Sequence, residues 1–167
     1  MALVIDATAG GASSNCYTTL SDAGVFLEQN IHTYAEWDAL SDNDKSACLI
    51  MATRLLDEQV DWIGSKKTEA QALAWPRQFV YNPEGYSVDD STIPDFLANA
   101  TAEFGRHLAL ENRLAENATL GFSKIQVSSI DLRIKRTDRK KIIPKVVWSM
   151  INAYGVKANY TNRLVRC

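Results

Sequence analysis

The sequence has few of the residues that usually carry catalysis or metal binding. It contains two histidines, His32 and His107, and three widely separated cysteines, Cys16, Cys48 and Cys167. Neither histidine has a partner at a spacing typical of a catalytic dyad, and the cysteines include no C-x-x-C pair. No G-x-S-x-G motif and no phosphate-binding loop occur either. We therefore expect a protein that is not an enzyme and that holds no cofactor, no metal ion and no disulfide framework.

Long apolar runs are also absent. No segment approaches the roughly 18 to 20 apolar residues that a membrane helix needs. Residues 1–14 lack the basic start and the apolar core of a secretion signal. The hydrophobic fraction of 46% and the charged fraction of 23% are typical of a globular protein. We expect a protein that is made in a cytosol and does not contact a membrane.

Positive charge is scarce in the first 120 residues and abundant afterwards. Residues 1–120 contain seven basic and eighteen acidic residues, whereas residues 121–167 contain eleven basic and two acidic residues. Electrostatic fields of opposite sign at the two ends of the chain favour binding of a polyanion at one end and of a complementary copy or partner at the other. We predict one compact domain with arms, divided into an acidic helical body (1–120), a basic hairpin and last helix (121–155) and a C-terminal tail (156–167).

The spacing of apolar residues predicts a mainly α-helical fold, a small bundle of about four helices with extended N- and C-terminal arms. Apolar residues recur at helical spacing in residues 19–30, 45–60, 94–110 and 144–155. Thr19 and Ser41 are the predicted N-caps of the first two helices. Alternating apolar residues in 125–127 and 130–134 predict a short β-hairpin or a bent strand.

The basic residues are densest between Arg133 and Lys145, a stretch with one acid, Asp138. A solvated loop, a contact with nucleic acid and a contact with an acidic protein surface all remain open. Regular base readout is not expected, because no helix-turn-helix or zinc-finger spacing accompanies the stretch. The candidate contact residues are Arg133, Lys135, Arg136, Arg139, Lys140 and Lys141.

Aromatic and basic residues are mixed between residues 62 and 86, where Lys66 and Lys67 accompany the rings. Such a mixture can stack the bases and pair with the phosphates of single-stranded nucleic acid. Acidic residues in the same stretch, among them Glu69 and Glu84, dilute the positive charge. Packing and contacts between subunits are therefore favoured, and the predicted subunit-contact residues are Trp62, Trp75, Arg77, Tyr81 and Tyr86.

Several short motifs follow one another in a specific order. They are Asn15-x-Tyr17, Trp37 before a helix, Trp62-x-Gly64, the element Gln71-Ala72-Leu73-Ala74-Trp75-Pro76-Arg77, Gly85 and Ile93-Pro94. The series resembles the head–tail connector, or adaptor, proteins of tailed bacteriophages, which are often labelled DnaT-like single-stranded DNA-binding proteins. The likeness covers roughly residues 2–110 and extends loosely to Ile134. From Lys135 onward the chain departs from the family, being more basic and longer.

The resemblance implies a helical adaptor whose copies form a dodecameric ring beneath the portal protein at the capsid vertex. Such a ring extends the channel through which genomic double-stranded DNA passes without sequence recognition, and it docks the next neck or tail protein. It implies a place in the virion after assembly in the host cytoplasm. The family's C-terminal segment commonly reaches the portal, which implies portal contacts by Lys157, Tyr160, Arg163, Leu164, Val165 and Arg166.

The family label also supports a second hypothesis, a DnaT-like replication protein that binds single-stranded DNA. This hypothesis predicts salt-sensitive binding of free oligonucleotides by the isolated subunit, lost when Trp75 or Tyr81 is replaced. The adaptor hypothesis predicts instead that removal of residues 156–167 leaves the helical body folded but prevents attachment to portal-bearing capsids.

Overall fold

The structure, a computed structural model, describes residues 2–32, 34–115, 124–127, 130–133 and 141–158. The described residues form five helices and six short strands, and the predicted mainly helical fold is confirmed. The helices are α1 (Leu20–Glu28), α2 (Tyr34–Asp38), α3 (Asp42–Gln59), α4 (Asp95–Leu110) and α5 (Lys145–Ile151). The strands are β1 (Val60–Trp62), β2 (Ser65–Lys66), β3 (Arg77–Gln78), β4 (Lys124–Val127), β5 (Ile130–Arg133) and β6 (Gly155–Lys157).

Hydroxyl side chains cap the first and third helices, as predicted. The Thr19 hydroxyl oxygen accepts a hydrogen bond from the Asp22 backbone N–H at 3.1 Å, and Ser41 accepts one from Asp44 at 3.2 Å. Each aspartate also adds negative charge to the first turn, where the helix dipole favours it. Helix α2 was not predicted because five residues around the buried Trp37 are too short for a helical period to show.

Two groups of apolar side chains form the interior. One joins α3, α4, α5 and β1, and the other joins α1 and α2 to Leu49 of α3 and Ala102 of α4. Gly105 lets the two central helices approach, because a Cβ there would lie 2.9 Å from the Leu49 Cδ2 atom. Val147 and Ile151 of α5 are fully buried in the first group. The last helix thus shares its core with the helices of the acidic half.

The six strands form three antiparallel pairs, β1–β6, β2–β3 and β4–β5. Strands β4 and β5 form the predicted hairpin, with Lys124 opposite Arg133 and Val127 opposite Ile130. Strand β6 was not predicted, and it places Lys157 opposite Val60 and Gly155 opposite Trp62. Residues 156 and 157, the first two of the predicted C-terminal tail (156–167), are therefore part of a sheet.

Candidate nucleic-acid interface

The Trp62-x-Gly64 motif forms the turn between β1 and β2. Gly64 has a φ of +72°, and a Cβ at this position would lie 2.2 Å from the Gln78 carbonyl oxygen. Only glycine combines this left-handed conformation with so close an approach to another backbone segment. The motif therefore brings β2 against β3 and directs the chain toward the loop that follows.

Arg77 holds this turn through its guanidinium group. Its Nε donates to the Ile63 carbonyl at 2.7 Å, and Nη2 donates to the Gly64 carbonyl at 2.7 Å and the Trp62 carbonyl at 3.3 Å. Nη1 donates to the Ala74 carbonyl at 3.2 Å. Because its donors are directed at carbonyls of its own chain, we assign Arg77 to the scaffold, and its contact with another subunit stays a prediction.

Gln71 performs a similar role from the interior. Its buried side-chain oxygen accepts a hydrogen bond from the Thr68 N–H at 3.0 Å. Its amide nitrogen donates to the Leu73 carbonyl at 2.9 Å and to the Pro76 carbonyl at 3.1 Å. Burying an amide is favourable only when its hydrogen bonds are made, and here they close residues 68–76 into a compact loop. The peptide bond between Trp75 and Pro76 is cis.

A buried pair, Tyr17 and Asp57, attaches this loop to α3. The Tyr17 hydroxyl donates to Asp57 Oδ1 at 2.5 Å and accepts from the Trp75 N–H at 3.3 Å, while Asp57 Oδ2 accepts from the Ala74 N–H at 2.9 Å. Burial raises the pKa of Asp57, although these hydrogen bonds oppose the rise. Burial and the Asp57 charge raise the pKa of Tyr17 well above its usual value, which keeps the proton on the phenol.

The scaffold presents a hairpin of residues 79–88, which we call the aromatic hairpin. Tyr81 bridges to Ser87, and the Val88 N–H donates to the buried Val80 carbonyl at 2.9 Å. The hairpin carries three exposed rings: Phe79, Tyr81 and Tyr86 are 74%, 56% and 72% exposed. Phe79 also has a φ of +61°, which is unusual for a bulky residue.

The charges around the aromatic hairpin are mixed. Lys66 on β2 is exposed, and Lys67 contacts the Asp90 carboxylate at 2.9 Å. Gln78 donates to the other oxygen of Asp90 at 3.2 Å. The hydrogen bonds from Lys67 and Gln78 lower the pKa of Asp90. The aromatic hairpin therefore exposes aromatic rings but has little net positive charge around it.

The predicted subunit-contact residues separate into two classes. Trp75 is completely buried between Trp62 and Phe96, with ring centroids 5.7 Å and 5.6 Å apart in edge-to-face contacts. Trp62 is nearly buried as well, so both tryptophans pack inside their own subunit and cannot stack on bases. Tyr81 and Tyr86 are exposed, and Arg77 is half-buried. Their contact with another subunit stays a prediction.

Phe79 is the surface ring that sequence reasoning missed. It directly follows β3, but its left-handed φ interrupts the extended backbone, so strand alternation does not predict its exposure. Whether a large aromatic ring is exposed thus depends on whether the core can accommodate it.

Much of the predicted basic surface lies outside the described residues. This applies to Lys135, Arg136, Arg139 and Lys140, to the side chain of Arg133 at the end of β5, and to Tyr160, Arg163, Leu164, Val165 and Arg166 of the tail. Lys141 is described and exposed. Lys157 lies in β6 with its Nζ 4.8 Å from the centroid of the Trp148 ring.

The histidines do not form a recognisable catalytic arrangement within the described segments. His107 Nε2 lies 3.4 Å from Glu103 Oε1 and 3.3 Å from Arg106 Nη2, whereas His32 lies on an exposed turn. Burial opposes ionisation of Glu103, but hydrogen bonds from His107 and Arg106 lower its pKa to about 2. Among the described residues, no three His, Cys, Asp or Glu side chains gather in a way that could hold a metal ion.

No described helix has the length and apolar character required to cross a membrane.

Comparison with known proteins gives one match. A family model described as "Putative DnaT-like ssDNA binding protein" matches residues 1–167, the whole chain. No curated protein and no solved structure matches. The match extends beyond residues 2–110, where the motifs were recognised, and includes the basic C-terminal part. The family description concerns DNA binding and mentions neither a portal nor a neck. The chain belongs to this family of DnaT-like single-stranded DNA-binding proteins.

Proposed function

We propose that this protein binds single-stranded DNA without sequence preference and that bases stack on the aromatic hairpin. The observation that carries the proposal is the exposure of Phe79, Tyr81 and Tyr86 on one well-anchored hairpin. A base has an apolar face that any aromatic ring can cover, so stacking needs no particular sequence. In a duplex these faces are already stacked on each other, and we expect a preference for single strands.

The conformation of Phe79 supports this proposal. A non-glycine residue in the left-handed region costs on the order of 1 kcal/mol or more. Burial of the Phe79 side chain offsets little of this cost, because the side chain is 74% exposed. Backbone strain kept at a solvent-facing aromatic residue is typical of a position selected for contact with a ligand.

The hydrogen bonds beneath the hairpin keep the rings in place for binding. Arg77 fixes β3 against the turn at Gly64, and Asp57 fixes the preceding loop through Ala74. A pre-formed surface loses little conformational freedom on binding, which improves affinity. The family motifs are therefore the scaffold of the proposed site, whereas the contact residues are their exposed neighbours.

The experiment is a fluorescence anisotropy titration of a labelled oligothymidine with the full chain and with two variants, Phe79→Gly and Tyr81→Ser. Glycine tolerates the backbone conformation of residue 79, so the first variant should remain folded. Each variant should weaken binding about ten-fold, because one base–aromatic stack contributes about 1–3 kcal/mol.

Tyr81→Phe, which keeps the ring, is the matched positive control and should bind almost normally. Ile31→Ala removes another exposed apolar side chain, 85% exposed, in the turn between α1 and α2, and should also leave binding unchanged. Normal binding by both ring-removing variants, or equal affinity of the wild-type chain for a duplex, would contradict the proposal.

A second candidate function is the head–tail adaptor ring that the motifs imply. Exposed apolar side chains occur at separated positions, with Val4 on the N-terminal arm, Ile31 after α1 and Val156 on β6. A closed ring uses head-to-tail contacts, which need two different patches on every subunit. Tyr81 and Tyr86 would then contact the neighbouring subunit, and the C-terminal residues would contact the portal.

Electron microscopy of the protein mixed with portal-bearing capsids distinguishes the two functions. The adaptor function predicts a ring at a single vertex. Tight oligonucleotide binding by a subunit that never associates with capsids would exclude the adaptor and favour the DNA-binding function.

A further inference from the structure

A basic pocket lies between the C-terminal end of α4 and the start of α5. It has a volume of about 490 Å³. Its basic lining residues are His107, Arg113, Lys141 and Lys145, and the rest of its lining is Ile143, Pro144 and Val146. None of its described lining residues is acidic, in contrast to the cavities that Asp22 and Glu103 border elsewhere.

A smaller pocket of about 300 Å³ adjoins the first, because Lys141 lines both. Lys157 contributes a further positive charge to this second pocket, and no acidic residue is among the lining residues that the structure describes. We call Arg113, Lys141, Lys145 and Lys157 the basic strip. Like charges are gathered here although the chain as a whole has a net charge of −2.

The backbone that carries the basic strip is held in place. Arg113 Nη1 donates to the Lys141 carbonyl at 3.0 Å, which joins the segment after α4 to the segment before α5. Arg113 Nη2 also lies 3.9 Å from the Glu111 carboxylate and forms a long ion pair with it. Lys157 is fixed by the pairing of β6 with β1 and by its position over Trp148.

Arg113 also has a donor without a hydrogen-bond partner among the described residues. Its Nε is buried and has no hydrogen-bond acceptor among the described residues. A buried N–H without an acceptor is costly, and a nearby anion reduces that cost electrostatically. Guanidinium and ammonium groups around a concave, partly apolar pocket are suited to a compact phosphate group.

We propose that the basic strip binds successive phosphate groups of the single-stranded DNA backbone. The inference rests on the proposed function and adds the missing charge contacts, since the aromatic hairpin supplies rings but little net positive charge. A phosphodiester can enter pockets of this size. The carboxylates of an acidic protein surface lie on a broad folded body, which fits a concave pocket less well than a narrow nucleic-acid strand does. The concave shape of the two pockets therefore favours a nucleic-acid strand.

The first test is the salt dependence of oligothymidine binding by the full chain and by the double variant Lys141→Gln/Lys145→Gln. Removal of two phosphate contacts should reduce the slope of log K against log salt by about 1.4, because each contact on a single strand contributes about 0.7. The matched control Arg54→Gln removes an exposed charge on α3 that lines neither pocket, and its slope should equal that of the wild-type chain.

The second test uses inorganic tripolyphosphate and does not require DNA binding. The chain has only two histidines, so their imidazole proton signals can be followed separately by NMR. Tripolyphosphate should shift the His107 signal, which borders the pocket, and leave the His32 signal unchanged. The shift should disappear in Lys141→Gln/Lys145→Gln but persist in Phe79→Gly and Arg54→Gln.

These readouts separate the inference from the proposed function. If oligonucleotides do not bind but tripolyphosphate shifts His107, the proposed function fails and the phosphate site stands. A His107 signal that tripolyphosphate leaves unchanged would overturn the inference. If the wild-type chain binds DNA, a double variant with the same salt slope as the wild type would also overturn it. A polyglutamate peptide that shifts His107 as strongly as tripolyphosphate would also overturn it in favour of an acidic protein partner.

Discussion

At the scale of single residues, a few buried polar side chains determine where the candidate site lies. Asp57 accepts hydrogen bonds from the Tyr17 hydroxyl and the Ala74 N–H, and it thereby joins the N-terminal segment, α3 and the loop before β3. The Asp57 carboxylate accepts the hydrogen bonds that the Tyr17 hydroxyl and the Ala74 N–H would otherwise make to water. The exposed rings that follow depend on this contact although none of them touches it.

Replacing Tyr17 with phenylalanine tests the role of this contact. The change leaves Asp57 Oδ1 and the Trp75 N–H without the phenol, and we expect the free energy of unfolding to fall by about 2 kcal/mol. Urea denaturation measures the effect. Tyr86→Phe removes an exposed hydroxyl and should change stability by less than about 0.5 kcal/mol. Equal effects of the two changes would contradict the assigned role.

Glu103 predicts a stability that depends on pH. Its folded pKa of about 2 lies below the ordinary value of 4.5, so its contribution is present above pH 4.5 and is lost as the pH falls toward 2. The full shift corresponds to about 3 kcal/mol, and screening by solvent at the edge of the cluster reduces this to about 2 kcal/mol.

The measurement compares urea unfolding of the wild-type chain and Glu103→Gln at pH 7 and at pH 3. The stability difference should be largest at pH 7 and should shrink at pH 3. Comparing the two proteins removes the contribution of Asp57, whose raised pKa acts in the opposite direction in both. A difference that is equal at both pH values would exclude an electrostatic role for Glu103.

At the scale of elements, short strands and tight turns contribute more to the position of the candidate site than their length suggests. The β1–β2 turn and the β2–β3 pair place the aromatic hairpin, while β6 attaches the C-terminal part to the end of α3. Each pairing is too short to be stable alone. Their stability comes from the buried side chains and from the side-chain hydrogen bonds beside them.

Gly64→Ala tests the first of these turns. An added Cβ meets the Gln78 carbonyl oxygen in a left-handed conformation, so we expect a loss of about 2 kcal/mol or more. Gly24→Ala in α1 is the matched control, because a Cβ there meets nothing within 4 Å. It should stabilise the protein by about 0.5–1 kcal/mol. Thermal unfolding of both variants gives the comparison.

Truncation tests the role of β6. A chain ending at Ala158 keeps the strand and the Ala158 N–H bond to the Gln59 carbonyl at 2.9 Å, so it should unfold at nearly the wild-type temperature. A chain ending at Gly155 loses these bonds and the Lys157 contact with Trp148, and its stability should fall by about 2 kcal/mol. Equal unfolding temperatures would show that β6 is dispensable. Removal of residues 156–167 is thus expected to lower the stability of the body, and the prediction that the body still folds without them stays a prediction.

At the scale of the whole molecule, the charge division along the chain does not become a division between separate cores. Val147 of the basic half packs with Leu56 and Phe104 of the acidic half in one hydrophobic cluster. Lys141 and Lys145 of the basic half lie with Arg113 of the acidic half at the junction of α4 and α5. A strand of DNA bound there would meet positive charge locally and repulsion elsewhere, which would confine its path.

The sequence by itself determined the helices, their caps and the β4–β5 hairpin, because these depend on local spacing and on side chains within a few residues. It also identified the motif order that marks the family. Five-residue α2 and three-residue β6 were out of reach, since short elements have no clear period and exist through tertiary packing.

Only the tertiary structure decided which residues are available for binding. Trp75 and Phe79 are four residues apart and equally aromatic, yet one fills the core and the other faces solvent. Arg77 and Arg113 carry the same group, but the first is committed to four carbonyls and the second lines a pocket. The reason is physical: burial and pairing depend on segments distant in sequence, and local pattern contains no information about which distant groups will meet.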